Sequence, residues 1–258
     1  MMSLERITAI AMNTLREAVR NKVLYVLLFF GVLLIGTGVL VSSLSYIATA
    51  QILQSVGLSS LRLFGALIAI FVGVGLIHKE VDRRTIYTIL SKPVSRTEFL
   101  LGKYLGLLLT LWLGVLIMAT AFVVVSLLSG APLGAGHAEA ILLSAVELAV
   151  VVGVATLFSS FTSPMLASCF TVGFYLVGHA TRDLRELGAH SGDVLVAKVT
   201  SLLYLGLPDL ESFNVTVQAI HQLPIAPRQV ILPVAYGLAT VIALLALACM
   251  IFQRRDFR

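Results

Sequence analysis

Two places in the sequence hold residue types that could do chemistry. The first is a single acid, Glu147, inside the otherwise apolar run 141–161. An ionisable group in hydrocarbon is expensive and by default marks a proton or ion path. A relay needs more than one group, and the apolar runs offer Glu147 no Lys, Arg or Asp partner. The acid is therefore expected near the outer third of its helix, hydrogen-bonded or protonated, as a lone intramembrane polar site. The second place is the charged connection from His78 to Glu98. Its first part fits a short helix with Val81, Thr85, Ile86, Ile89 and Leu90 on one face and Glu80, Asp82, Arg83 and Arg84 on the other. Pro93 then turns the chain, and Ser95 with Glu98 stands in the S-x-x-E spacing of a capping box that starts the next helix. A rigid element bearing both charge and apolar groups suits a membrane subunit that receives force from a soluble partner. A solvated basic loop would have the same composition.

No energy-converting motif accompanies these residues. Gly102-Lys103 is followed by Tyr104 and lacks the glycine five residues earlier that a phosphate-binding loop requires. Dinucleotide fingerprints, HExxH and GxSxG are absent from the sequence. Cys169 and Cys249 lie in apolar runs and build neither a disulfide framework nor a four-ligand zinc site. The histidines and Met118, Met165 and Met250 are too scattered for a metal pathway. No cofactor is expected in this chain, and any work it does draws on a partner or an ion gradient.

The elements that must position these residues follow from composition. Of 258 residues, 59% are hydrophobic and 12% charged, and the mean hydropathy is +1.01. Soluble domains carry about twice that share of charge, so a water-soluble enzyme is excluded. The basic balance, 18 Lys and Arg against 13 Asp and Glu, is a matter of membrane topology rather than of nucleic acid. Six apolar runs, 23–41, 61–77, 104–128, 141–161, 165–180 and 229–252, are about a bilayer long, and only Arg62 and Glu147 interrupt them with charge. They lack the two-residue alternation of a barrel strand, which leaves helices. The second run is limited by Arg62, which is expected to snorkel to the headgroups while residues 58–79 form the actual helix. Between the fourth and fifth runs, Ser159-Ser160-Phe161-Thr162-Ser163-Pro164 predicts a tight turn whose hydroxyls cap the following helix.

With six crossings, 1–22, 78–103 and the tail share one side and hold thirteen of the eighteen basic residues. That side is cytoplasmic by the positive-inside bias, so both termini lie inside. Residues 3–22 carry Leu4, Ile7, Ala11, Leu15, Ala18 and Val19 at three- and four-residue spacing, which predicts an interfacial amphipathic helix. Residues 181–228 form an outer segment expected to cap the bundle. Gly102 and Gly106 form a small-xxx-small pair that serves internal packing or a dimer seam equally well. The expectation is one all-α membrane domain over 1–258, with six transmembrane helices, the interfacial helix 3–22, a cytoplasmic coupling helix in 79–96 between spans two and three, and an outer helical segment.

These elements, in this order, resemble the type-2 ABC transporter permease family. The wording is close from Asn13 to Gly106 and most specific in the coupling region; Asn13-Thr14-Leu15-Arg16-Glu17-Ala18-Val19-Arg20-Asn21-Lys22 is similar to the family's amphipathic first helix. The stretch from Glu80 to Arg96 is similar to the coupling segment and leads into Leu101-Gly102-Lys103-Tyr104-Leu105-Gly106. The Ser159-Ser160 hinge and Leu207-Pro208-Asp209-Leu210 with Phe213 are shorter matches. The resemblance implies a subunit of the bacterial inner membrane that works with a second permease copy or paralogue and two ABC ATPases, amid membrane lipids and with an accessory extracytoplasmic protein. ATP and Mg would be bound by the ATPase partner. It further implies that Glu80, Asp82, Arg83 and Arg84 make polar contacts with the ATPase. Ile86 and Ile89 would pack into its groove, and Pro93 and Arg96 would pass motion to the third span. Two other readings fit the residues: an ion-coupled carrier or channel using Glu147, and a non-transporting anchor that recruits a soluble complex through the same segment.

Overall fold

The computed structural model describes residues 4–45, 47–82, 95–190, 195–196, 198–200 and 207–254. Among them the chain is helical and contains no strand. The helices are α1 (Leu4–Val19), α2 (Lys22–Ser42), α3 (Thr49–Asp82), α4 (Arg96–Leu128), α5 (Ala135–Ser159), α6 (Pro164–His190), α7 (Thr216–Ile220) and α8 (Pro227–Arg254), with a 3-10 turn at Leu210–Phe213. Five of them are long and apolar enough to cross a membrane: α2, α3 over Thr49–Leu76, α4, α5, and α8 over Pro227–Gln253. The protein is thus a multi-pass membrane protein. α6, which contains the run 165–180 predicted as the fifth crossing, falls outside that set because its second half, from His179 to His190, is largely polar.

Local chemistry sets the helix ends. Asn21 separates α1 from α2 and caps the latter, its Oδ1 accepting from the Val23 N–H at 2.9 Å. At the start of α4 the expected capping box is present: Ser95 Oγ accepts from the Glu98 N–H and Glu98 Oε2 accepts from the Ser95 N–H. The end of α4 needs a left-handed residue, and Gly130 supplies it at φ 68°. Its N–H donates to the Leu127 carbonyl, while that of Ala131 reaches back to the Ser126 carbonyl at 2.9 Å, closing the helix. The turn between α5 and α6 is as tight as predicted, but its hydroxyls act on the preceding helix. Ser160 Oγ donates to the Leu157 carbonyl and Thr162 Oγ1 to the Phe158 carbonyl. Those carbonyls, in the last turn of α5, also accept the backbone N–H groups of Ser160 and Thr162, whereas Pro164 opens α6 without an N–H that needs a partner.

α1 does not merely lie at an interface; it is packed on α4. Its buried face is Ile7, Ala11, Thr14 and Ala18, whereas Leu4 is 79% exposed. Gly102 and Gly106 make this approach possible. A Cβ on Gly106 would meet the Ala11 carbonyl oxygen at 2.6 Å, and one on Gly102 the Ile7 carbonyl oxygen at 3.0 Å. The small-xxx-small pair therefore receives α1. Two ion pairs flank the seam, Lys103 Nζ to Glu17 Oε2 at 3.6 Å and Arg6 Nη1 to Glu98 Oε2 at 3.9 Å.

The closing helix returns to the same end. Phe252 of α8 stacks on Phe99 with ring centroids 6.3 Å apart. The end of α3, the start of α4, α1 and the end of α8 thus gather at what we term the proximal end. Opposite lies the distal end, where Leu210 and Phe213 of the 3-10 turn are buried and Gly136 of α5 meets Ala219 and Ile225. Between them, α3, α4 and α5 share one apolar core that includes Leu61, Ile68, Leu111, Met118, Leu148 and Val151. Two donors from α4 stitch onto α5, Tyr104 OH inside the core to the Ala149 carbonyl and the exposed Trp112 Nε1 to the Ala145 carbonyl, each at 3.2 Å.

Candidate functional sites

At the proximal end, side chains of α4 tie it to α8 and α1. Arg96, the first residue of α4, donates from Nη1 to the carbonyls of Phe252 and Gln253 at 3.3 and 3.2 Å. Those carbonyls belong to the last turn of α8, where orphaned acceptors and the helix dipole both favour a cation. Glu98 joins the same structure to α1 through Arg6. Of the residues expected to couple to a partner, Glu80 and Asp82 fall in the last turn of α3. Their side chains lie outside the described residues, as do Arg83, Arg84, Ile86, Ile89 and Pro93. Arg96 is the member of that set whose contacts are described. Sequence reasoning missed Arg6, Glu17 and Lys103. Their signal was present as a salt-bridge complement between an amphipathic helix and a charged helix start, with no local spacing to reveal it.

The second site lies in the middle of the bundle and corrects three expectations. Glu147 is not a lone acid. Arg62 of α3 donates to its Oε2 from Nε at 3.2 Å and from Nη2 at 3.0 Å. His179 of α6 approaches Oε1 at 3.1 Å through Nε2. Nor does Arg62 snorkel: α3 starts at Thr49, nine residues before the helix start expected at Leu58, so Arg62 sits near the middle of the Thr49–Leu76 crossing. Likewise Glu147 is twelve residues from either end of α5, at its centre rather than its outer third. The physical reason is common to all three. A buried carboxylate needs a partner, and the helix that carries the arginine can be long because its other buried polar residues, Gln54 and Ser60, are also satisfied. Gln54 Nε2, for example, donates to the Pro132 carbonyl at 2.7 Å.

The cluster ties three helices together. The Glu147 side chain is fully buried, while those of Arg62 and His179 are 13% and 23% exposed. His179 Nδ1 lies 2.9 Å from the Tyr175 carbonyl, which can only accept, so Nδ1 carries a proton. Nε2 faces both Arg62 Nη2, at 2.9 Å, and Glu147 Oε1. An unprotonated Nε2 accepts from Arg62, and a protonated one donates to Glu147. The arrangement can therefore hold a charge-balanced Arg–Glu pair and exchange one proton through the imidazole. Removing one member of such a buried pair costs about 3–5 kcal/mol. Among the described residues, no group of three or more His, Cys, Asp or Glu is arranged to hold a metal ion.

The family model for the ABC-2 family transporter proteins matches residues 8–257. No curated protein matches the chain.

Proposed function

Because the chain belongs to the ABC-2 transporter family, whose members are membrane subunits of ABC transporters, we propose that it forms, with a second permease and two ATPase subunits, an ATP-driven export path. ATP and Mg would sit on the ATPases, and this chain would supply the path and the lever. The observation that carries this reading is the proximal end. A push on the connection between α3 and α4 is delivered to Arg96 and Glu98, and through them to α8 and α1. α4 is about 50 Å long at 1.5 Å per residue, longer than the hydrocarbon core, so it can carry that displacement across the membrane. Helices held by buried ion pairs and close-packed glycines move as rigid elements, as nucleotide-driven opening and closing requires.

The reading includes six crossings, with α6 as the fifth. Near its start, Ala167 packs with Val74 and Ala155. Further on, Gly178 meets Leu210 of the 3-10 turn, so α6 runs antiparallel to α5 from the proximal toward the distal side. Six crossings leave both termini on the proximal side; the excess of Lys and Arg there supports its being cytoplasmic, and the family supports a bacterial inner membrane. Glu80, Asp82, Arg83, Arg84, Ile86, Ile89 and Pro93 would contact the ATPase, and Arg96 would transmit the motion. The distal cap would be the surface offered to an accessory extracytoplasmic protein. The pairing of Glu147 with Arg62 supports the permease over the ion-coupled carrier, which drew on an acid without a fixed counter-charge.

Reversing the charge at Arg83 and Arg84 tests the reading. R83E/R84E should insert and assemble normally but lose most stimulation of the partner's ATP hydrolysis. Undiminished stimulation in a correctly assembled complex would remove these residues from the coupling path.

A further inference from the structure

The face of α3 that carries Arg62 is polar toward the distal end. Gln51, Ser55, Ser59 and Arg62 recur at four-, four- and three-residue spacing, which places them on one side of the helix. The first three are exposed. α6 mirrors this pattern outward from His179: Asp183, Glu186 and His190 follow at four-, three- and four-residue spacing, and all three are exposed. Since Arg62 and His179 are in contact at 2.9 Å, the two stripes diverge from one point.

The threonines of the neighbouring spans bond back on their own helix, whereas Ser126 and Ser159, both buried, make no hydrogen bond. Thr110 donates to the Gly106 carbonyl, Thr120 to Leu116, Thr156 to Val152 and Thr171 to Ala167. Ser60, one residue along but on the buried side of α3, donates to the Val56 carbonyl. Among the described residues, Ser55 and Ser59 make no such bond, and neither does Arg62 Nη1. Exposed polar groups at membrane depth are tolerated where they face water or a polar partner, not where they face acyl chains. On the proximal side of the cluster the same face of α3 becomes Ala66, Ala69 and Gly73, all buried. From Gln51 to Arg62 is about 16 Å at 1.5 Å per residue, roughly half a hydrocarbon core.

We infer that α3 and α6 enclose a blind, water-filled groove that enters from the distal face and ends near mid-membrane on Arg62–Glu147–His179. The groove receives the polar, oxygen-bearing part of the transported solute, with Arg62 Nη1 as its terminal donor. Solute passage rests on the permease reading; the groove and its hydration do not.

Cysteine accessibility tests both parts. In a background carrying Cys169→Ser and Cys249→Ser, Ser55→Cys, Ser59→Cys and Ile242→Cys are introduced singly into the membrane-assembled protein. Ile242 is 68% exposed on the apolar surface of α8 and serves as the lipid-facing control. A membrane-impermeant methanethiosulfonate reagent is added from the distal side, and ATP hydrolysis by the copurified ATPase is followed in the same preparation. Because these reagents need a hydrated thiolate, positions 55 and 59 should react about tenfold faster than 242 or more. Modification at Ser59→Cys, but not at Ile242→Cys, should lower the ATPase response. Equal, slow reaction at all three positions with a normal ATPase response would overturn the groove. Fast labelling at 55 and 59 that leaves the ATPase response intact would keep the groove and overturn solute docking in it. Fast labelling without any ATPase response, before or after modification, would instead count against the permease reading.

Discussion

The Arg62–Glu147 pair gives the sharpest energetic prediction. Arg62→Met keeps the length and much of the apolar stem of the side chain but removes both donors to Glu147 Oε2. A fully buried carboxylate is then left at the centre of α5 with His179 as its remaining partner. Breaking a buried pair from one side costs about 3–5 kcal/mol. On globular scaling for chains of this size, about 2–4 °C per kcal/mol, the midpoint of thermal unfolding should fall by roughly 6–20 °C. Glu147→Leu alone should be costly for the mirror reason, since it strands a guanidinium whose side chain is 13% exposed. The double variant Arg62→Met/Glu147→Leu should recover most of that loss, because apolar replacement of both members of a buried pair is often neutral. Unfolding in mild detergent, read by intrinsic fluorescence or by accessibility of the native cysteines, supplies the three values for a double-mutant cycle. A coupling energy below about 0.5 kcal/mol, or a double variant as unstable as the sum of the singles, would refute the assignment of the cluster as a three-helix tie.

Two further perturbations address the proximal end. Gly106→Val places a branched side chain where the Thr14 side chain and the Ala11 carbonyl stand. It should separate α1 from α4, detected as new protease cleavage within 4–19, while α5 and α8 stay protected; unchanged protease resistance would show that the seam is looser than described. Arg96→Ala removes the donor to the Phe252 and Gln253 carbonyls. Losing a C-terminal cap of this kind costs about 1 kcal/mol, which should appear as roughly fivefold faster amide exchange in the last turn of α8 with little change in α2; equal exchange in wild type and variant would contradict the proposed link.

Which features could be seen in the sequence depends on the range of the interaction that makes them. The apolar runs of α2, α4, α5 and α8 are local and visible, and so is the Ser95–Glu98 capping box, whose reciprocal bonds span three residues. The start of α3 was invisible because hydropathy falls where Gln54, Ser60 and Arg62 enter, although each is satisfied inside the bundle or on its own helix. Arg62 and Glu147 are 85 residues apart, and Arg62 and His179 are 117 apart, so no spacing rule connects them. The available signal was energetic: an acid in one span and an arginine at the edge of another were each other's natural counter-charge. α1 shows the opposite case. Its amphipathic period was clear, but the period alone does not say whether the buried stripe faces lipid or another helix, and the glycines at 102 and 106 decide it.

The central claim is that this membrane subunit is driven mechanically by a separate ATPase. Its most direct test is the ATP hydrolysis rate of the complex purified in mild detergent and reconstituted in lipid, measured with wild type and with R83E/R84E at equal assembly. An ATPase should copurify with wild type, and its rate should depend on the reconstituted permease and drop with the double reversal. An ATPase that copurifies but hydrolyses at one rate with wild type, with the variant and on its own would identify the protein as an anchor and contradict the account.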